Sequence, residues 1–107
     1  MRETGPAGFK SWLVKELVRR FPNILIFHQD PNVTHQGIPD LLLLCQGKWA
    51  MLEVKGAPNS KQQPNQDYWV DHYDRLGFAS FIYPENAEEV LDELQRSFSS
   101  RRRSRVS

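Results

Sequence analysis

The stretch GIPDLLLLCQGKWAMLEVKG, residues 37–56, decides the fold. It holds two apolar runs, residues 40–45 and 49–55, which are joined by Gln-Gly-Lys at residues 46–48. A short connection that contains glycine, between two β-prone runs, is typical of an antiparallel hairpin. The stretch therefore predicts the second and third strands of a sheet, paired with each other.

A helix and a strand are predicted before this hairpin. Apolar residues recur at helical spacing over residues 8–20, and Pro22 with Asn23 supplies a stop, so this segment predicts an amphipathic helix. Residues 23–29, NILIFHQ, form a β-prone run that ends in the turn-forming residues 30–32. This run predicts the first strand.

The rest of the chain predicts a crossover unit and a last helix. Residues 56–63 form a loop, and Pro64 can begin a helix, ending at residue 76, because its missing N–H is not needed there. A fourth strand is predicted at residues 78–83 and a final helix at residues 87–98. Because a helix connects the third and fourth strands, they should be parallel neighbours. The order αβββαβα predicts an α/β fold, a mixed sheet flanked by helices.

Length and composition indicate one compact domain. A chain of 107 residues with 39% hydrophobic residues can build one core, so we predict a single domain over residues 1–96 and a basic, flexible tail at residues 97–107. No apolar run approaches the ~20 residues that cross a bilayer, and the N-terminus has no secretory signal. We therefore expect an intracellular, cytoplasmic protein. Cys45 is the only cysteine, which excludes an internal disulfide and a multi-thiolate zinc site.

The net charge is only +1, but both ends of the chain are basic. Residues 96–107 carry five arginines and no acidic residue. Two interpretations of this end stay open. It is either a solubilising extension or a flexible arm that lies along the phosphates of a nucleic acid.

Three charged residues of the hairpin are the candidates for chemistry. Glu53 and Lys55 are two residues apart on one strand, so their side chains should point to the same face, and the return of the hairpin should bring Asp40 level with them. Two carboxylates can hold a divalent cation such as Mg²⁺, which accepts phosphate oxygens, while a lysine orients water or stabilises the transition state. The alternative is a surface pair of Glu53 and Lys55 on an edge strand, with Asp40 only beginning a strand after Pro39.

These residues resemble the PD-(D/E)XK nuclease superfamily. The resemblance lies in the segments GIPDLLLL, LEVKG and QQPNQDYWVDHYDRLGFA, and it covers residues 9–94. Within the superfamily the chain most resembles the stand-alone VRR-NUC type and, more distantly, the archaeal Holliday-junction resolvases. The resemblance implies a restriction-endonuclease-like αβββαβ core followed by a C-terminal helix.

The resemblance also implies a set of site residues. Asp40, Glu53 and the Val54 carbonyl would bind Mg²⁺, with Mn²⁺ as a substitute. Lys55 and Gln66 would join the two carboxylates as catalytic residues. Gln66 matches a glutamine that lies on the first turn of the family's helix beside the metal. Without the resemblance, the pattern would indicate only an exposed residue at the start of a helix.

One position departs from the family pattern. The family usually carries a glutamate on the first helix that faces the metal, whereas this chain has Lys10 at the matching position. Glu3 or Glu16 would have to replace that ligand. The departure leaves the number of bound metal ions open, although a single-metal site built on the hairpin is sufficient in principle.

Contacts to DNA and to a partner subunit are further expectations. The candidate DNA-binding residues are His28, His35, Gln36, Lys61 and Lys10. Five aromatic residues have helix or strand spacing and are assigned to the core or an interface rather than to base stacking: Trp12, Trp49, Trp69, Tyr68 and Tyr73. The resemblance implies a homodimer, and nothing in the sequence indicates a membrane partner.

Three functions are compatible with these patterns. The leading one is a metal-dependent endonuclease that hydrolyses DNA phosphodiester bonds, either at branched or junction structures or at a specific site, as restriction and homing enzymes do. The second is a catalytically idle nucleic-acid-binding module with the same fold. The third, a protein-interaction domain with incidental motifs, would leave the carboxylates without a common partner.

Overall fold

The computed structural model describes residues 5–29, 39–56 and 66–99. Its helices and strands follow the predicted order αβββαβα. In chain order they are α1 (Gly5–Arg20), β1 (Leu25–His28), β2 (Leu41–Cys45), β3 (Lys48–Val54), α2 (Gln66–Leu76), β4 (Ala79–Ile82) and α3 (Ala87–Ser99). Pro64, the predicted start of the second helix, lies outside the described residues.

The four strands form one mixed sheet in the order β1-β2-β3-β4. β2 pairs antiparallel with both β1 and β3, whereas β3 pairs parallel with β4. The predicted hairpin and the predicted parallel pair are both confirmed. The parallel pair follows from the helix between β3 and β4, because parallel neighbours need a crossover connection. The chain is therefore an α/β protein with a mixed sheet flanked by helices.

The hairpin turn is tighter than predicted. Gln46 and Gly47 have φ angles of 55° and 76°, and Lys48 pairs directly with Cys45. Two consecutive residues with positive φ are typical of a type I′ turn, whose twist matches that of the flanking strands. β3 therefore begins at Lys48, one residue before the predicted start.

A turn after α1 delays the first strand. Asn23 has a φ of 70°, a value that asparagine adopts more readily than most residues. The N–H of Ile24 donates to the carbonyl of Phe21 at 3.1 Å, which closes the turn. β1 therefore begins at Leu25, two residues later than predicted. β2 begins one residue later than predicted, and β4 is one residue shorter than predicted at each end.

One face of the sheet, here called the closed face, is covered by α1 and α3. Phe9, Leu13 and Leu17 of α1 are fully buried there, as their helical spacing predicts. The side chains of the strands that point to this face complete the core. Its buried residues are Phe9, Leu13, Leu17, Phe21, Leu41, Leu43, Cys45, Ala50, Leu52, Ile82, Ala87, Val90, Leu91, Leu94 and Phe98.

The opposite face, here called the open face, carries only α2 among the described helices. Val70 of α2 packs against Met51 of β3 and Ala79 of β4. At the end of the helix, Gly77 lies so close to Trp49 that a Cβ at this position would be 2.6 Å from the indole ring. α2 therefore lies over β3 and β4, and it leaves much of β1 and β2 uncovered.

The last helix extends into the predicted tail. α3 ends at Ser99, and the ring of Phe98 is buried against Phe21 with 5.4 Å between the ring centroids. The tail was predicted from residue 97, so its first three residues instead belong to the domain, because Phe98 completes the apolar face of α3. Residues 100–107 lie outside the described part of the chain. None of the described helices is long and apolar enough to span a membrane.

Candidate active site

Asp40 and Glu53 lie opposite each other at one end of the hairpin. The register of β2 and β3 pairs Leu41 with Leu52, so the next positions along the ladder are Asp40 and Glu53. The N–H of Asp40 donates to Oε1 of Glu53 at 3.2 Å, and the N–H of Val54 donates to Oδ2 of Asp40 at 3.0 Å. Each carboxylate is therefore held by the backbone of the opposite segment, and the predicted approach of the two residues is confirmed.

Lys55 lies beside the carboxylate of Glu53. Its Nζ lies 3.8 Å from Oε2 of Glu53 and 5.8 Å from the centroid of the Phe81 ring. Its backbone N–H donates to the carbonyl of Ile82 at 2.8 Å, which continues the parallel pairing beyond the end of β3. The ammonium is thus placed by a carboxylate on one side and an aromatic ring on the other.

Glu53 and Lys55 are buried, with only 4% and 8% of their surfaces exposed. Charged side chains are rarely buried to this extent unless they are paired. β3 lies between β2 and β4, so it is an interior strand. The alternative interpretation of a surface ion pair on an edge strand is therefore wrong.

The three residues share the open face of the sheet. Side chains alternate along β3, and Val54 packs towards the closed-face core, so Glu53 and Lys55 point to the other side. The Lys55 side chain lines a cleft of about 650 Å³ between the end of the sheet and α2. The other residues that line the cleft are Asp67, Val70, Asp71, Asp74, Ala79, Ser80, Phe81, Tyr83 and Asn86.

Three aspartates of α2 form one wall of this cleft, a feature that the sequence analysis missed. Asp67, Asp71 and Asp74 are spaced by four and three residues, which places them on one side of a helix. Asp71 forms an ion pair with Arg75 at 2.6 Å, and Oδ1 of Asp74 accepts the N–H of Ala79 at 3.1 Å. The helical spacing was a usable signal that the three aspartates share one side of α2, but no local pattern indicates that this side borders the cleft at Lys55.

Phe81 was also missed as a neighbour of the site. In the parallel register of β3 and β4 it stands beside Glu53, and this places its ring under the Lys55 ammonium. A sequence signal for this contact would require the register of the parallel pair. The crossover connection predicts that the strands are neighbours, but it does not predict their register.

Glu16 is engaged elsewhere. Its carboxylate accepts hydrogen bonds from Arg19 and Arg20, the latter at 3.0 Å, and Arg20 also bonds Glu88 and Asp92 of α3. The hydrogen bond from Arg19, reinforced by Arg20, lowers the pKa of the Glu16 carboxyl to about 2. The prediction that Glu16 could be a metal ligand is not supported, because two guanidinium groups occupy its carboxylate on the side of α1 that faces α3.

The donor atoms at Asp40 and Glu53 suit a hard cation such as Mg²⁺, which prefers oxygen ligands and keeps several waters. A carboxylate has about four lone-pair sites, so one carboxylate can accept a backbone N–H and bind a cation at the same time. Within residues 5–29, 39–56 and 66–99, no three His, Cys, Asp or Glu side chains form a group that could hold a metal ion. Glu3, the other candidate for the missing ligand, lies outside the described residues.

The remaining predicted site residues are distributed as follows. Gln66 is the first residue of α2, as predicted for a first-turn residue. The structure describes its backbone but not its side chain. His28 ends β1 beside Leu41, and the N–H of Gln29 donates to the carbonyl of Asp40 at 2.8 Å. The end of β1 is therefore next to the site. Lys10 is half-buried on α1, and His35, Gln36 and Lys61 lie outside the described residues.

Comparisons with known proteins identify no relative. No family model matches the chain, and no curated protein or solved structure is detectably similar to it. The resemblance to the nuclease superfamily therefore rests on the sequence motifs quoted above. The geometry of the hairpin is a separate line of argument, because it depends only on the contacts among the described residues.

Proposed function

We propose that the protein is a metal-dependent endonuclease that hydrolyses phosphodiester bonds of DNA at Asp40, Glu53 and Lys55. One observation carries the proposal. The backbone of each hairpin segment holds the carboxylate of the other, and a buried lysine stands beside them. Two carboxylates can bind a divalent cation, and a neighbouring ammonium can stabilise negative charge on a phosphate, so this arrangement of charges supports phosphodiester hydrolysis.

The burial of these charges supports a role beyond stability. A buried ion pair contributes little net stability, because the loss of hydration offsets the attraction between the charges. Apolar residues at positions 53 and 55 would extend the cluster of Met51, Val70 and Ala79 on the open face at lower cost. Two acidic residues and a lysine at one end of this hairpin are therefore best explained by a catalytic role.

Each residue has a distinct task in this proposal. Asp40 and Glu53 would hold Mg²⁺ or Mn²⁺, and the Val54 carbonyl would be a third oxygen ligand. The cation, when bound, supplies a water of lowered pKa and neutralises charge on the scissile phosphate. The hydrogen bonds from the Asp40 and Val54 N–H groups fix the orientation of the carboxylates before any ligand arrives, which reduces the reorganisation needed for binding.

Lys55 would act on the phosphate or on the attacking water. Its ammonium is a hydrogen-bond donor and a positive charge in a poorly hydrated position, where its interaction with developing negative charge is strong. Gln66 at the first turn of α2 would position the phosphate or the water, as the family resemblance implies. The aspartates on α2 repel phosphates, so we expect DNA to approach from the side of Asp40 and the end of β1.

The proposed substrate is DNA with a branched or junction structure, or DNA with a specific target sequence. Both follow from the resemblance to resolvases and to restriction and homing enzymes. The test is cleavage of supercoiled plasmid, linear duplex and four-way-junction DNA in Mg²⁺, Mn²⁺ or EDTA. We expect metal-dependent cleavage that EDTA abolishes, and the best substrate identifies the class.

Isosteric variants test the residues of the site. Asp40→Asn and Glu53→Gln should each reduce cleavage at least ~100-fold, because an amide is a much poorer ligand for a divalent cation than a carboxylate. Glu93→Gln changes an exposed acid of α3 by the same chemistry and is the matched control. The proposal would be contradicted if the two site variants cleaved DNA at the native rate, or if Glu93→Gln lost as much cleavage as they do.

One observation favours the second candidate, an idle nucleic-acid-binding module. The arginine partners of Glu16 remove an acid that could have replaced the missing glutamate of the first helix. In this case the protein would bind the same DNA structures in Mg²⁺, in Mn²⁺ and in EDTA, and it would cleave none of them. A gel-shift measurement alongside the cleavage assay separates the two functions.

A further inference from the structure

The register of the strands adds one residue after β1 to the row of the candidate site. His28, the last residue of β1, pairs with Leu41, so the next row across the sheet consists of Gln29, Asp40 and Glu53. The N–H of Gln29 donates to the carbonyl of Asp40 at 2.8 Å, which shows that the pairing continues beyond the end of β1. Gln29 is therefore the direct cross-strand neighbour of Asp40.

The side chain of Gln29 points to the open face. Side chains alternate along a strand, and Ile26 packs against the core of the closed face, so Gln29 points away from that core. Direct cross-strand neighbours also share a face, and Asp40 lies on the open face with Glu53. His28, a predicted DNA-binding residue, points to the opposite side of the sheet. The register therefore places Gln29, and not His28, on the face of the two carboxylates.

The two residues are close enough to share a ligand. Residues directly opposite each other in an antiparallel pair have Cβ atoms roughly 5 Å apart. Gln29 is half-buried, as is Asp40. An amide that begins at this distance from Asp40 can reach a molecule that is bound at its carboxylate.

The side of the site at β1 differs in charge from the side at α2. Asp67, Asp71 and Asp74 of α2 line the cleft and repel phosphates. β1 and the residue after it, LIFHQ, include no acidic residue. A DNA strand that reaches the two carboxylates is therefore repelled less on the side of Gln29.

A glutamine suits this position because its amide donates hydrogen bonds without carrying a charge. Glutamine is one of the residues that bind phosphate oxygens in protein–DNA interfaces. A lysine next to Asp40 would attract its carboxylate and compete with a cation for it. The neutral amide of Gln29 avoids this competition and still offers two N–H donors to a phosphate.

We propose that the side-chain amide of Gln29 binds a phosphate oxygen of the DNA strand that lies at Asp40 and Glu53. Gln29 would contact the substrate on one side of Asp40, while Glu53 lies on the other. The inference rests on the proposed function in one respect, that the ligand of the carboxylates is DNA. It does not require that the DNA is cleaved.

The test is the affinity of the full chain for a labelled duplex and a labelled four-way junction, measured in EDTA by fluorescence anisotropy. Gln29→Met removes the amide and should raise the dissociation constant roughly fivefold, which corresponds to the loss of one hydrogen bond. Gln29→Glu keeps the shape but adds a negative charge and should raise the constant further. Gln29→Lys should lower it, because an ammonium attracts a phosphate more strongly than an amide does.

The salt dependence tests whether the contact is to a phosphate. Each phosphate that a cationic side chain neutralises adds about 0.9 to the slope of log Kd against log salt concentration for duplex DNA. Gln29→Lys should therefore have a slope that is steeper than the native slope by about this amount. A contact to a base edge would leave the slope unchanged.

The matched controls are Gln95→Glu and Gln95→Lys, which make the same charge changes on an exposed residue of α3. Gln95 lies near the turn of the hairpin, because Nζ of Lys48 donates to the carbonyl of Ser97 at 3.0 Å. Asp40 lies at the opposite end of the hairpin. Screening over this distance should limit the effect of either control on the dissociation constant to less than about twofold.

Three results would overturn the proposal, provided that circular dichroism shows each variant to be folded. The first is the same affinity for Gln29→Glu and Gln29→Lys. The second is an effect of the Gln95 variants as large as that of the Gln29 variants. The third is a loss of affinity with His28→Ala that Gln29→Met does not share. Binding without cleavage would contradict only the nuclease proposal, whereas cleavage with no effect of the charge at position 29 would contradict only this one.

Discussion

The two faces of the sheet differ in how they are covered and in what they carry. The closed face is packed against α1 and α3, and its core contains only apolar side chains. The open face has a smaller cluster under α2, the charged pair of Glu53 and Lys55, and exposed apolar residues on β1 and β2. The apolar core and the buried charged pair are therefore on opposite sides of the sheet, so the charged groups do not disturb the close packing of the core.

The separation also explains where the candidate site can be. A carboxylate that must bind a cation has to be reached from solvent, and the closed face leaves no room for such access. On the open face α2 covers part of the sheet and leaves a cleft lined by Lys55, while Asp40 is half-buried at the end of the hairpin. Substitutions on each side of the sheet should therefore differ in their effects on stability.

A leucine on the closed face should matter more for stability than one on the open face. Leu52→Ala should lower the free energy of unfolding by about 3 kcal/mol, because Leu52 is fully buried and its loss leaves a cavity. Leu44→Ala, also on the hairpin, should cost less than about 1 kcal/mol because Leu44 is exposed. Denaturant unfolding followed by circular dichroism, with monomeric protein, measures both. Equal losses would contradict the contrast between the faces.

The charged pair on the open face should behave as a unit. Lys55→Met should lower the free energy of unfolding by about 2 kcal/mol, because the buried Glu53 carboxylate loses its ammonium neighbour. The double variant Glu53→Gln/Lys55→Met should recover most of the lost free energy of unfolding, although we expect it to lack the proposed nuclease activity. A double-mutant cycle by denaturant unfolding gives the coupling. Additive effects of the two substitutions would show that the residues do not depend on each other.

The charged groups on the closed-face helices should respond to acid. The pKa of Glu16 falls from 4.5 to about 2 in the folded chain, chiefly through the hydrogen bond from Arg19. A lowered pKa stabilises the fold above the unfolded value, so this contribution is complete above about pH 4.5 and is lost as the pH falls towards 2.

The measurement is unfolding across this pH range with Glu16→Gln. The variant should be less stable at neutral pH by about 1 kcal/mol and should lose less stability on acidification. Glu93→Gln, which replaces an exposed acid of α3, is the matched control and should follow the native curve. A native and a Glu16→Gln curve that run parallel would show that the arginine contacts do not shift the titration.

Much of the fold could be predicted because it depends on local patterns. The apolar spacing of Phe9, Leu13 and Leu17 predicted α1 and its buried side. The connection at Gln46 and Gly47 predicted the hairpin, and the turn chemistry of these residues is what the chain uses. Element boundaries were less accurate, because they depend on which backbone groups find partners in the sheet.

The pairing of the candidate site was predictable for a similar reason. A hairpin with a short turn fixes which residues stand opposite each other, so the approach of Asp40 to Glu53 followed from counting along two strands. Contacts between elements distant in the chain were not predictable. Phe81 and the aspartates of α2 reach the site only through the parallel register and the position of the helix.

The sequence by itself determined the order of the elements, the hairpin and the face that Glu53 and Lys55 share, because each depends on residues that are close along the chain. Only the tertiary structure decided that β3 is an interior strand, that this acid and this lysine are buried, and that Glu16 turns to its arginines. It also decided that α2 covers half of one face and leaves Leu25 and Phe27 exposed. The physical reason is that burial and coverage depend on which distant elements share the sheet, and no local pattern records this.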